Sequence, residues 1–379
     1  MFAILLSLHR WAGLLAGLVI FVIALTGCAL VFEEDIDRLL NRELTVVVPG
    51  PAALSVQAGV DAVRAAHAGE TATGVVLPER PHYALVVVLE NDQAVSVDPY
   101  RGHVLGSRDR LGGFARFLRR LHKTLLAGDT GATVVGVLTL LTLLMAVSGT
   151  ILWWPRRILG VKSSRSWRRV NFDLHNVLGF YSAVFLVVMC VSGVMITWAG
   201  VTDPLVLRLN SSPPGERMRP TSTPREGATP IGPDEALRRG RAALPGAFVA
   251  RLGLPSSATA VYRLGMMFPE DRTPGGRSFV VLDQYSGDVL DLKSSRAAEL
   301  GTKILDLKRS IHTGDVLGAP TRALAFVVSL MLAGQVVTGY LIWWRPGRFA
   351  LAGSRQKQRE SPSPPRSSAA MPARARVSG

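Results

Sequence analysis

Four apolar runs, Trp11 to Phe32, Ala132 to Trp154, Val177 to Trp198 and Ala323 to Trp344, constrain this chain more than any other feature. Each holds about twenty residues, and twenty residues at ~1.5 Å rise cover the ~30 Å of a bilayer's hydrocarbon. The sequence therefore predicts four membrane-crossing helices, with the lipid bilayer as their surroundings.

The net charge of +15 follows from the same topology. Lys and Arg beside a span stay on the cytoplasmic side. Residues 1–10, 155–172 and 345–379 hold fifteen Lys and Arg against the single acid Glu360, while the rest of the chain is nearly neutral. Both termini are expected to be cytoplasmic. A basic balance of this origin argues against nucleic acid as a partner, although basic loops can also attract anionic lipid headgroups.

The predicted division is a first span over 1–32, an outer module over 33–120, an interfacial segment and second span over 121–155, and a cytoplasmic loop over 156–173. A third span over 174–199, a second outer module over 200–310 and an interfacial segment with a fourth span over 311–346 repeat the plan. The tail over 347–379 is rich in Ser, Pro, Arg and Ala, cannot bury enough apolar surface to offset its ordering entropy, and is expected to be disordered. Cys28 and Cys190 are the only cysteines, both fall within spans, and they read as reduced packing residues rather than a disulfide framework. Leu25-Thr26-Gly27-Cys28 also matches a lipoprotein cleavage box, but the apolar run continues past it to Phe32, and Gly27 has a counterpart in a later span.

That counterpart belongs to a duplication. LHRWAGLLAGLVIFVIALTG from Leu8 answers LHNVLGFYSAVFLVVMCVSG from Leu174, and LHKTLLAG from Leu121 answers IHTGDVLG from Ile311. SGTILWWPR from Ser148 answers TGYLIWWRP from Thr338, and VDPYRGHVL from Val97 answers LDQYSGDVL from Leu282. Each half reads as span, outer module, span.

Within each outer module a helix precedes strands. The first has Ser55 to Ala68, then apolar stretches near Val75, Ala84 to Leu89 and Val95 to Asp98. The second has Asp234 to Ala243, preceded by Pro233 in the first turn, then Phe248 to Leu252, Ala258 to Met267 and Ser278 to Asp283. The Asp-x-Tyr-x-Gly steps at Asp98 and Asp283 predict tight turns in which Gly102 and Gly287 take positive φ. The fold class is thus an α-helical membrane protein with four spans in two repeats and two outer α+β modules.

LHRWAG, FARFLRRLHKTLLAGDTG, the WWPRR and WWRP exits and the VDPYRG turn together resemble the PepSY-associated transmembrane family, over residues 1 to about 347. That family includes bacterial iron-regulated membrane proteins and inner-membrane ferric-siderophore reductases. The resemblance implies a bacterial inner membrane, periplasmic PepSY-like modules, haem b and a link to iron acquisition.

Topology sorts four of the seven histidines. His9 and His175 open outward-going spans at the cytoplasmic face, whereas His122 and His312 precede inward-going spans at the periplasmic face. Haem iron takes one axial ligand on each side of the porphyrin, with imidazole the natural b-type ligand, so two haems b are expected: His9 with His175 inner, His122 with His312 outer. Zinc would want more ligands than two per face. His67, His82 and His103 lack counterparts in the other module and read as surface or turn residues.

Gly27 and Gly193 lie 18 residues beyond His9 and His175, about 27 Å along a helix, and so would flank the outer haem; Gly149 and Gly339 would flank the inner one. Their missing side chains suit either a flat macrocycle or close helix packing. Arg116, Arg119, Arg120, Lys123, Lys308 and Arg309 around the outer pair, and Arg10 at the inner, suit haem propionates or a headgroup-binding belt equally. Trp153, Trp154, Trp343 and Trp344 fit an interfacial aromatic belt.

The favoured function is a transmembrane electron conduit, a haem-dependent oxidoreductase that reduces a periplasmic ferric chelate so that its iron is released; the siderophore class of substrate comes from the resemblance. No Gly-x-Gly-x-x-Gly after a strand and no phosphate loop is present, which leaves quinol or a separate cytosolic reductase as donor. The spans carry almost no ionisable residues, against proton-coupled transport, and no hydrolase motif occurs. The alternative is a non-redox PepSY membrane protein, a sensor or protease regulator binding a peptide or protein.

Overall fold

The computed structural model describes residues 1–109, 113–162, 166–212, 220–224, 227–273 and 275–344. The tail over 347–379 lies outside the described residues. In chain order, α1 (Phe2–Val31) is followed by two short helices, α2 (Glu33–Leu40) and α3 (Arg42–Thr45), then α4 (Val56–Ala66) and strands β1 (Ala72–Val76), β2 (Leu85–Leu89), β3 (Gln93–Val97) and β4 (Val104–Asp109). Helices α5 (Gly113–Thr124) and α6 (Gly128–Trp153) complete the first half. The second half runs α7 (Trp167–Thr197), α8 (Ala199–Leu209), α9 (Pro233–Ala243), β5 (Phe248–Gly253), β6 (Val261–Met267), β7 (Ser278–Asp283), β8 (Val289–Lys293), α10 (Leu300–Thr313) and α11 (Ala319–Trp344).

Helices α1, α6, α7 and α11 are long and apolar enough to cross a membrane, and the chain is a multi-pass membrane protein. α1 packs against α6 and α11, and α7 packs against the same two, so α1 and α7 face one another across a four-helix bundle. α7 begins earlier than the predicted 174: its first turns, from Trp167, bury Asn171 and Asp173, with Asp173 2.8 Å from Arg169. Polar residues there hide the helix from an apolar-run reading.

The two outer segments meet edge to edge. Their strands join in one antiparallel sheet, ordered β4-β3-β2-β1-β5-β6-β7-β8, sealed at its centre by β1 against β5 with Gly74 opposite Gly253. At Gly74 a Cβ would stand 3.3 Å from the Leu252 carbonyl, so a glycine there eases the approach of the two halves. One face of the sheet carries Val75, Val87, Val95, Leu264 and Val280, fully covered by α4 and α9 through Val60, Val63, Ala236 and Leu237. Removing such area from water, at about 25 cal/mol per Å², is what holds the layer together.

Strands β4 and β8 were not expected from the sequence. Both are edge strands, half exposed and interrupted by Gly, Ser and charged residues, so their alternation is weak. Both follow the predicted turns. Gly102 and Gly287 sit at φ 72 and 71, and each aspartate accepts two backbone N–H groups: Asp98 from Tyr100 (2.8 Å) and Arg101 (3.1 Å), Asp283 from Tyr285 (2.8 Å) and Ser286 (2.9 Å). Burial pushes both carboxyls up, but these hydrogen bonds outweigh it and leave them below the usual range.

The halves are also tied by a cap. Asp234, in the first turn of α9, accepts from the backbone N–H of Val56 (2.8 Å) and Gln57 (3.0 Å), covering orphan donors at the start of α4. Asp234→Ala is expected to cost about 1–2 kcal/mol, as loss of an N-terminal cap does. Thermal unfolding of the detergent-solubilised protein measures it, and an unchanged melting temperature would contradict the role.

Candidate functional site

The bundle places the four histidines at two levels. His9 on α1 and His175 on α7 lie at the end remote from the sheet; His122 on α5 and His312 on α10 lie at the end beside it. α5 packs against α1 and α6, and α10 against α7, as short helices separate from the spans they precede. The breaks are glycine turns: Gly128 has φ 57, and Gly314 and Gly318 have φ 82 and 74.

All four rings are half-buried, and each is held in the same way by a hydroxyl residue and the glycine after it. His9 Nδ1 lies 2.9 Å from Ser148 Oγ, and a Cβ on Gly149 would meet His9 Cε1 at 3.2 Å. His175 Nδ1 lies 2.9 Å from Thr338 Oγ1, with Gly339 against its Cε1 at 3.5 Å. His122 Nδ1 lies 3.0 Å from Thr26 Oγ1, with Gly27 against Cε1 at 3.2 Å; His312 Nδ1 lies 3.4 Å from Ser192 Oγ, with Gly193 against Cε1 at 3.1 Å. No Nε2 of the four hydrogen-bonds to a described residue.

Each of the four glycines lies against one of the rings. The space each leaves is filled by an imidazole, since a side chain there would press on the ring. Across the outer level, the His122 and His312 ring centroids are 6.3 Å apart at 57°. Burial pulls His122 down to about 4, with the charges of His312 and Lys123 adding and the Ile23 carbonyl opposing; burial lowers His312 too.

The cations are less tightly gathered. Arg119 pairs with Glu33, and Lys308 lies 2.6 Å from Asp203, so both are engaged by acids. Arg120 and Lys123 are exposed on α5 with no side-chain hydrogen bond or ion pair among the described residues, and Arg10 is exposed with its guanidinium 5.5 Å from the Trp11 ring. Of the predicted aromatic belt, Trp154, Trp343 and Trp344 are exposed. Trp153 is not: it is buried, stacked on Phe180 at 4.1 Å, and donates to the Ile158 carbonyl. Cys28 and Cys190 are buried and free, and α1 runs unbroken through Cys28.

A cavity of about 730 Å³ opens between α2, α3, α5 and the sheet face opposite α4. Val86, Val88 and Ala94 floor it, while Arg108 with Asp37 (2.6 Å) and Arg119 with Glu33 line its walls. Arg119, in the cavity wall, is one turn before His122 on the same face of α5.

The sequence model of one family, described as the PepSY-associated TM region, matches residues 6–345. The chain belongs to that family. No curated protein matches it. In this PepSY-associated chain the match spans both histidine levels and all eight strands.

Sequence reasoning missed the four hydroxyl residues. Their signal was present: each glycine at a histidine level is preceded by Thr or Ser, as Thr26-Gly27, Ser148-Gly149, Ser192-Gly193 and Thr338-Gly339. It also missed Asn171, whose Nδ2 donates to the Thr338 carbonyl (3.1 Å), and Arg322, which ties α11 to the Val31 carbonyl (2.8 Å) and to Asp35.

Proposed function

We propose that this protein is a di-haem b electron-transfer protein of the bacterial inner membrane, with both termini cytoplasmic, that reduces a periplasmic ferric chelate of the siderophore type. The reading assigns His9 and His175 to an inner haem and His122 and His312 to an outer one. One observation carries it: four half-buried imidazoles stand in pairs at two levels, each with Nδ1 engaged by the protein and Nε2 without a partner among the described residues.

The donor set fits the group. A haem iron held between two imidazoles would need the rings to face one another at close range. The outer rings lie 6.3 Å apart. Among the described residues no three His, Cys, Asp or Glu side chains gather as a metal cage, so two imidazoles per level would suit a haem iron better than zinc, which wants four ligands. Bound at these positions, haem b would supply one-electron redox chemistry; the chain's own residues orient the four imidazoles and bury them.

A duplicated layout, in which two PepSY-like halves each contribute one ligand to each level, accounts for the matched sequence segments and for the sheet's four strands on either side of its central seam. We assign the acceptor to the cavity beside α5, whose volume is within the ~300–1,000 Å³ of small-molecule sites. A hard oxygen-donor chelator prefers the ferric ion, so one-electron reduction loosens its hold on iron. The chain carries no dinucleotide or phosphate-loop motif, which leaves quinol or a separate cytosolic reductase to donate.

Stopped-flow mixing of the reduced, haem-loaded protein with a ferric hydroxamate tests the activity. The expected result is reoxidation whose rate saturates with chelate and falls at least tenfold in Val88→Trp, which fills the cavity floor. Reoxidation by oxygen alone, with no response to the chelate, would leave the non-redox reading, in which the sheet binds a peptide or protein.

A further inference from the structure

We infer that the chain fixes each of the four histidines as the Nδ1–H tautomer, with Ser148 and Thr338 as the positioning residues of the inner pair and the Ile23 and Met189 carbonyls, beside Thr26 and Ser192, those of the outer pair, so that Nε2 is the nitrogen with a lone pair free for a ligand. The assignment of that lone pair to haem iron rests on the function proposed above; the tautomer does not.

At the outer level the donor is settled by carbonyls, which only accept. His122 Nδ1 lies 2.9 Å from the Ile23 carbonyl and His312 Nδ1 lies 2.9 Å from the Met189 carbonyl, so both Nδ1 atoms must carry the proton. The hydroxyls beside them spend their own hydrogens on helix carbonyls: Thr26 on Val22 (2.8 Å) and Ser192 on Val188 (2.8 Å). Each hydroxyl oxygen is then left to accept.

The inner level follows by the same hydrogen count. Ser148 Oγ donates to the Met145 carbonyl (3.2 Å) and Thr338 Oγ1 donates to the Gly334 carbonyl (2.8 Å), so each accepts from its histidine's Nδ1–H. Such a bond fixes ring orientation and raises the basicity of the opposite nitrogen. The glycine after each hydroxyl allows the ring to approach, since a side chain there would meet Cε1.

His9 differs from the outer pair in what backs up the hydroxyl. His122 and His312 keep a carbonyl acceptor if the hydroxyl is removed, whereas Ser148 Oγ is the sole hydrogen-bond partner of His9 among the described residues. Removing an acceptor from Nδ1–H weakens donation from Nε2 to a ferric centre, which shifts a midpoint potential upward.

Two measurements on the full chain test this. In haem-free protein, ¹⁵N-imidazole spectra are expected to show His9, assigned through His9→Gln, with Nδ1 protonated and Nε2 unprotonated. In haem-loaded protein, Ser148→Ala is expected to raise one midpoint potential and Ser148→Thr to restore it. An Nε2–H tautomer at His9, or a Ser148→Ala protein with unshifted potentials, would overturn the positioning role. A wild type that takes up no haem would overturn the haem reading instead, and the spectra would still decide the tautomer.

Discussion

Gly193→Val is expected to empty the outer haem level while leaving the inner one filled. A Cβ at Gly193 would stand 3.1 Å from His312 Cε1, 3.4 Å from its Nδ1 and 3.3 Å from Thr139 Cγ2, so two further methyls cannot enter without expelling the ring. Overpacking of this kind costs about 1–3 kcal/mol where neighbours can shift, and here the neighbour that shifts is the ligand. The expected readout is a fall in haem content from two per chain to one, with the remaining haem sensitive to His9→Ala and insensitive to His122→Ala. Gly160→Ala, at a glycine with open space around it, serves as the neutral control. Retention of both haems in Gly193→Val would mean that the imidazole does not occupy the place assigned to it.

Gly131→Val is expected to act on the same level from the other side, and on stability as well. Gly131 lies in the first turn of α6, where a Cβ would overlap the Thr124 carbonyl oxygen at 1.7 Å. Thr124 ends α5 two residues after His122, so the backbone that must move is the one that presents the ligand. Backbone, unlike a side-chain tip, cannot swing aside, and the penalty is expected to reach about 3 kcal/mol or more. Thermal unfolding in detergent should show a large drop, with outer haem lost even in the fraction that folds. A variant with wild-type melting and full haem content would contradict the close packing of α5 on α6.

What the sequence made legible was periodic or repeated. Four apolar runs disclosed the spans, and the Asp-x-Tyr-x-Gly turns were readable because only a few residues take positive φ cheaply. The histidine levels were readable because a repeat places like residues at like depths. What stayed hidden was non-local. Nothing in the residues of β1 or β5 says that they pair with each other, so the joining of the two outer modules in one continuous sheet could not be read from the sequence. The edge strands β4 and β8 were masked by exposure, and the start of α7 by polar residues that are buried only in the fold.

The candidate site divides along the same line. His9, His122, His175 and His312 could be picked by position, but the partner of each glycine lies on a different helix, so its role needed the packed bundle. Trp153 shows the converse. Its sequence neighbours suggested an exposed belt, yet stacking on Phe180 draws it inside while Trp154 stays out. A helix places adjacent residues about 100° apart, so neighbours need not share a face.

The most direct test of the account is the haem-to-protein ratio, read with reduced-minus-oxidised spectra, for purified wild type and for His9→Ala and His122→Ala. Two low-spin b haems in the wild type, with one lost in each variant and a different one in each, is the predicted result. A colourless wild type that stays colourless with added haem would contradict the central claim and leave the eight-stranded sheet, not the bundle, as the place to look for function.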